Sequence, residues 1–362
     1  MKLKSLILLV GLFSLCYVNA QEIRLSVEHE AVSSLLDWFE KDQPSQLVEG
    51  IVNLPANQIM EQIYQVHEKD AIAFNDALCQ FNPMDSLTGQ PYRLRHAYEH
   101  RSEIKVLQDS LQTIDWAESI FHKSIAFYPK HFNSSVNYKV FLCFTGWKWG
   151  DAMQFQYLME DGKVVLCEEG SPGVLVNLAI VNDNYGNTCQ QKIKTLTEVM
   201  AHELFHVLFY EYVQKHWSKK EAEGIVEELK YLMMNEGIAH YIAEKEYLLQ
   251  TYGTDQLCEK EKSAFEQLIS NHTIMANDSL PEEERIHALN KGTYGSYWSK
   301  YVCITGMFMA YHIEQTFGPE KLSDCIEKGV DYYFQTYREA CNKNEAIPRL
   351  PEALNSTTWS GV

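Results

Sequence analysis

Val199-Met200-Ala201-His202-Glu203-Leu204-Phe205-His206-Val207-Leu208 is the stretch that decides how this chain is read. Two histidines four residues apart lie on one face of an α-helix, so both imidazoles can reach one point. The glutamate between them stands one step round the helix. From there it can take a proton from a water held at that point. The pattern is HExxH. Leu204, Phe205, Val207 and Leu208 carry no charge, as a helix packed on nearly all sides requires. The stretch predicts a buried helix presenting a pair of zinc-ligating histidines, His202 and His206, and a base, Glu203.

Working outward, the apolar pattern extends this helix from Ile193 to about Trp217. Lys219 to Gly224 is a polar break. A second long helix is expected from about Ile225 to Leu249, and a third from about Tyr297 to Phe317, with Gly318 as its cap. Upstream, the character is different. Asn137 to Phe144 is rich in β-formers, and Met153–Leu158 and Lys163–Cys167 flank the turn Glu160-Asp161-Gly162. Gly173 to Val181 is another strand candidate. Residues 24–128 read mostly as helices, with apolar faces such as Val32, Leu35, Leu36, Phe39 and Leu107, Leu111, Ile114, Phe121.

The fold class expected is therefore α+β and mostly helical. A small antiparallel sheet should pack beside the HExxH helix and a following glutamate-bearing helix. The expected organisation is a leader at 1–20, a helical region at 21–130, a core at 131–345 and a tail at 346–362. Within the core, the sheet should occupy about 136–182 and the helices about 191–345.

Met1-Lys2-Leu3-Lys4 is a short basic start, and Leu6 to Val18 is an apolar run of signal-peptide length. Val18-Asn19-Ala20 suits cleavage, so the mature chain is expected to be exported, periplasmic or extracellular, with no membrane span. The formal net charge is −18. Losing Lys2 and Lys4 takes it to about −20. Such a balance disfavours nucleic acid and anionic membrane surfaces as partners. Apart from Cys16, the cysteines are even in number, which permits disulfides in an exported chain, but they are too sparse for a disulfide scaffold. No CxxC pair offers a cysteine zinc site.

Two histidines need a third protein ligand. The pattern with Gly three residues after His206 and His three further on is excluded, because those positions hold Phe209 and Tyr212. Glu236, in Asn235-Glu236-Gly237-Ile238-Ala239-His240, is favoured. It lies mid-helix among Leu232, Met233, Met234 and Ile238, where a carboxylate is costly to bury without a cation. Gly237 gives up about 1 kcal/mol of helix propensity, which signals close approach of another element. Glu227 and Glu228 are rivals in a more polar setting. His240, one turn after Glu236, would orient a ligand, contact substrate or simply pack.

This constellation resembles the gluzincin clan of metallopeptidases, in which HExxH is joined by a glutamate from a following helix. It is most similar to the secreted bacterial zinc-dependent peptidase families. The resemblance spans about residues 170–320. It implies one Zn2+ held by His202, His206 and Glu236, with Glu203 as general base in hydrolysis of a peptide or protein substrate. It also implies that the strand near Val174–Val181 lies along the cleft, and that a tyrosine stabilises the oxyanion. Tyr301 is favoured for that role over Tyr294 and Tyr297. The gap from His206 to Glu236 is longer than in thermolysin-like enzymes, His240 replaces their acid, and the GxMEN-like motif is absent. Neither a substrate preference nor an oligomeric state carries over. The alternative from a different class is an exported, non-catalytic binding protein with a structural or vestigial zinc site.

Overall fold

A computed structural model describes residues 24–67, 71–84, 91–145, 151–218 and 221–355. The leader expected at 1–20 lies outside them. The chain opens with β1 (Arg24–Glu28), followed by α1 (Glu30–Glu40), α2 (Val48–Val52), α3 (Pro55–His67) and α4 (Phe74–Gln80). Then come α5 (Leu94–Glu99), α6 (Arg101–Thr113) and α7 (Trp116–Ser124). Four strands follow: β2 (Asn137–Cys143), β3 (Ala152–Glu160), β4 (Lys163–Leu166) and β5 (Ser171–Asn177). After them run α8 (Leu178–Asn184), α9 (Cys189–His216), α10 (Ile225–Thr251), α11 (Asp255–Met275) and α12 (Glu282–Lys291). The last helices are α13 (Tyr301–Phe317), α14 (Glu320–Lys328) and α15 (Val330–Lys343).

The protein is mostly helical with one small sheet, but the sheet is mixed, not antiparallel. Its order is β1-β2-β5-β3-β4. β1 pairs with β2 and β2 with β5 in parallel, whereas β3 is antiparallel to both β5 and β4. β1 and β2 run parallel because the helical crossover α1–α7 returns the chain in the same direction, whereas between β2 and β5 the chain passes through the β3–β4 hairpin. β1 belongs to this sheet although it lies far upstream, in the stretch read as mostly helical. The β3–β4 turn follows local chemistry. Asp161 and Gly162 both take positive φ, 49° and 79°, as a tight two-residue hairpin requires.

The apolar run after Gly173 divides into two elements. Asn177 ends β5, and its side chain accepts from the Ala179 amide to cap α8. β5 is thus a central strand with both edges paired. The outer edge of β4 is closed by α3, where Gln58 accepts from the Val164 amide at 2.8 Å and Gln62 donates to the Val164 carbonyl at 2.9 Å. β4 pairs only with Tyr157–Glu160 of β3, and the Cys167 amide adds a bond to the Gln156 carbonyl. Among the described residues, the edge of β3 over Ala152–Phe155 has no strand partner.

α9 begins with a capping box in which the Thr188 side chain and Gln191 satisfy each other's backbone amides. α6 and α7 pack against α9, and α1 and α3 against β2, so one apolar core runs from Ala31 to Leu354. α10 and α13 cross at glycines. A Cβ on Gly237 would lie 2.4 Å from the Gly306 carbonyl carbon, and one on Gly306 would lie 2.0 Å from the Met233 oxygen. Gly237 therefore marks the close approach that its mid-helix position signalled. The eight cysteines from Cys79 to Cys341 are all free thiols, four of them buried. Among the described residues, no helix is long and apolar enough to cross a membrane.

Candidate metal centre

α9 carries His202 and His206 on one face, and α10 brings Glu236 opposite them. The two Nε2 atoms are 3.0 Å apart. Glu236 Oε2 stands 3.6 Å from His206 Nε2 and 3.9 Å from His202 Nε2. Ligand atoms at about 2.05 Å from a tetrahedral zinc are about 3.3 Å from each other. The three donors bracket that spacing, so the residues fit a zinc ion. Their side chains keep 15%, 16% and 25% exposure for His202, His206 and Glu236, so the cluster is sunk but open to a ligand.

Helix α10 also holds the far sides of both rings. His206 Nδ1 donates to Asn235 Oδ1 at 3.0 Å, and His202 hydrogen-bonds the Ala239 backbone. Such partners fix ring orientation and raise ligand basicity. Asn235 and Ala239 flank Glu236, so one stretch of helix supplies a candidate ligand and the supports of the other two. Burial holds the His202 imidazole well below its usual range, and the neighbouring His240 and His206 add to this. Neutral imidazole is the ligating form.

His240 joins the cluster. Its Nδ1 donates to the Glu236 carbonyl at 2.9 Å and lies 3.7 Å from Glu236 Oε2. Its ring centroid is 4.6 Å from that of His202. Burial lowers it to about 4. His202, Glu236 and His240 themselves bring donor atoms within 4.8 Å of one another. We take His206 as the partner of His202 and Glu236, because its Nε2 stands 3.0 Å from the His202 Nε2 and 3.6 Å from Glu236 Oε2.

Glu203 faces the sheet side of the cluster. Its Oε2 accepts from Gln154 Nε2, in the part of β3 that pairs with β5 on one edge only, at 2.7 Å, and the same amide reaches the Glu203 carbonyl. Burial pushes the Glu203 carboxyl up to about 7, against the pull of His206 and the Gln154 hydrogen bond. A carboxyl in that range suits proton exchange near neutrality.

Glu227 and Glu228 lie at the start of α10, two to three turns before Glu236, or roughly 12–14 Å along the axis. Glu227 accepts from the Glu223 amide. Neither reaches the histidines through the contacts that Glu236 makes.

The tyrosine favoured from sequence is placed elsewhere. Tyr301 is fully buried, and its hydroxyl donates to the Ala288 carbonyl at 2.6 Å. The close packing of Gly292 against its ring closes off the approach. Tyr297 lies nearer, its ring 5.6 Å from that of His240, with its hydroxyl engaged by Glu244 and the Met307 sulfur. Tyr294 is 74% exposed and shares a cavity wall with Glu236.

Two cavities reach the cluster. One, of about 630 Å³, is lined by Gln154, Phe155, Pro172, His206, Val207 and Tyr210. The other, of about 560 Å³, is lined by Ile225, Glu228, Leu232, Glu236, Leu289 and Tyr294. The strand that borders the cluster is thus β3, not the Val174–Val181 segment expected there. β5 cannot take that place with both its edges paired. Sequence reasoning missed Gln154, Asn235 and Cys303, whose Sγ lies 3.9 Å from Glu236 Oε2. Asn235 could have been found as the polar neighbour of a buried carboxylate. Gln154 and Cys303 carried no local signal.

The chain belongs to the family described as "putative zinc dependent peptidase", whose pattern it matches over residues 48–346. No curated protein and no solved structure matches it.

Proposed function

We propose that this protein is a zinc metallopeptidase of gluzincin type. The observation that carries the reading is the convergence of His202 Nε2, His206 Nε2 and Glu236 Oε2 within 3.0–3.9 Å, beside the Glu203 carboxyl. His202, His206 and Glu236 would hold one zinc ion. Bound there, zinc supplies polarisation of a scissile carbonyl and a lowered pKa for water, towards about 7.

The chain's own groups do the rest. Glu203 takes the proton of the attacking water on its carboxylate and passes it to the leaving amine. Gln154 fixes one carboxylate oxygen, so the base is aimed before substrate arrives. The backbone of β3 over Ala152–Phe155 offers hydrogen bonds to an extended peptide, which would add to the sheet as a further strand. The flanking cavities accept its side chains. Tyr294, on a cavity wall with Glu236, is better placed than Tyr301 to reach an oxyanion. Export after cleavage near Ala20 goes with this reading, and N-terminal sequencing of the secreted protein tests it.

The decisive variant is Glu203→Gln, assayed on a diverse peptide library with zinc content measured in parallel. Retained zinc with hydrolysis reduced at least about 100-fold is expected. An unchanged rate would overturn the assignment of the base. Zinc retained by the wild type with no peptide cleaved would favour a binding protein.

A further inference from the structure

His96, His100 and Asp183 form a second group of ligating side chains, on elements the HExxH centre does not use. α5 ends and α6 begins at His100, whose amide donates to the His96 carbonyl at 3.1 Å, an i to i−4 bond that closes the last turn of α5. The two histidines therefore stand one turn apart on one face, their ring centroids 4.5 Å apart. This is the i, i+4 spacing that His202 and His206 also use. Asp183, at the end of α8 and 87 residues beyond His96, brings Oδ2 to 2.7 Å from His96 Nε2. One donor atom from each of the three lies within 4.8 Å of the others.

The surrounding cations have partners of their own. Arg95 is held by Glu99 at 2.7 Å. Arg101 lies over the Tyr98 ring at 4.0 Å and donates to the Tyr98 carbonyl. Lys192 donates to Asn182 Oδ1 at 2.6 Å. The side chains of His96 and Asp183 are 22% and 34% exposed, so an ion can reach them from solvent.

We infer that His96, His100 and Asp183 bind a second divalent transition-metal ion. Two imidazoles and one carboxylate, with water completing the shell, are a donor set that suits zinc and is too rich in nitrogen for calcium or magnesium. Ligands on a tetrahedral zinc stand about 3.3 Å apart, so His96 and Asp183 must part by roughly 0.6 Å, a small rotamer change for part-exposed side chains. The ion clips the α5–α6 junction to α8, which leaves β5 directly. It thereby ties the helical N-terminal region to the sheet beside the HExxH centre. No base equivalent to Glu203 stands between these histidines, where Ala97, Tyr98 and Glu99 occur and Glu99 is engaged by Arg95. The role is that of a brace.

The test is zinc content by mass spectrometry after equilibration at buffered free zinc and desalting. Wild type, Asp183→Asn, His96→Ala with His100→Ala, and His202→Ala with His206→Ala are compared. About two equivalents are expected in the wild type and about one in each variant. If the HExxH reading alone is wrong, the wild type holds about one equivalent, lost in Asp183→Asn and kept in the His202/His206 variant. Equal content in the wild type and Asp183→Asn overturns the brace. Should the His202/His206 variant fail to fold, the pair of wild type and Asp183→Asn decides alone. A zinc-dependent rise in melting temperature should also shrink in Asp183→Asn, and a rise of unchanged size counts against the site.

Discussion

Gly237→Ala tests whether the crossing of α10 and α13 positions Glu236. Helix propensity by itself predicts a gain, since alanine in mid-helix is favoured over glycine by about 0.8–1.0 kcal/mol. The structure predicts the opposite sign. The new Cβ would sit 2.4 Å from the Gly306 carbonyl carbon, 2.5 Å from its Cα and 2.8 Å from its oxygen. Carbon atoms rest at about 3.5–4.0 Å, so the helices must part by roughly 1 Å. All three nearest atoms are backbone, so no side chain can swing aside. Overpacking of this kind costs typically 1–3 kcal/mol, and the expected net loss is about 2 kcal/mol. Urea unfolding of metal-free protein reads it as a lower midpoint at unchanged slope. Zinc affinity should fall at least about tenfold as well, because the displaced turn carries Glu236. Gly50→Ala is the control. It lies in α2, where an added Cβ would meet nothing within 4 Å, and should be neutral or stabilising by up to about 1 kcal/mol. A Gly237→Ala protein as stable as the wild type, or more so, would refute the backbone contact and the reasoning built on it.

Asn235→Ala removes the acceptor of His206 Nδ1 and should weaken zinc binding about 10- to 100-fold in competition with a chromophoric chelator. An unchanged dissociation constant would remove Asn235 from the centre. Tyr301→Phe loses the bond to the Ala288 carbonyl, costing about 1 kcal/mol in unfolding experiments while kcat stays the same. A tenfold fall in kcat would return this tyrosine to the reacting atoms. Glu246 receives Lys123 and Lys194 at 3.1 and 2.9 Å, and these hydrogen bonds pull its carboxyl down to about 2. A depressed carboxyl stabilises the fold above its ordinary value of 4.5, and that contribution is lost as pH falls towards about 2. The group is half exposed, so Glu246→Gln should cost about 0.5 kcal/mol at pH 6 and nothing near pH 2. A deficit that widened on acidification would contradict the sign.

The portions legible in the sequence share a short range. The i, i+4 pair of His202 and His206 is a property of one helix turn, and it appears as read. The hairpin at Asp161-Gly162 is likewise set by residues that tolerate positive φ. Glu236 was singled out because a carboxylate in an apolar helix needs a cation, and the structure brings two imidazole nitrogens to within 4 Å of it. Gly237 pointed to a neighbouring backbone without saying whose.

Tertiary structure decided what depends on distant partners. β1 joins β2 across helices α1–α7, a pairing with no local signature, and it adds a second parallel pair to the sheet. Tyr301 sits beside a glycine-containing apolar run, which looks the same in sequence whether its hydroxyl faces a cleft or a core carbonyl. Packing against Gly292 and Ala288 turned it inward. Gln154 became the partner of Glu203 because β4 reaches only Tyr157–Glu160 of β3 and the inner end of β3 is left to face α9. By itself the sequence determined the i, i+4 histidine pair, the glutamate between them and the demand of a buried carboxylate for a cation, since each follows from helix periodicity or the cost of burying charge. Which strand borders the centre, which tyrosine is near and what holds each imidazole were settled only when elements far apart in the chain packed around one core.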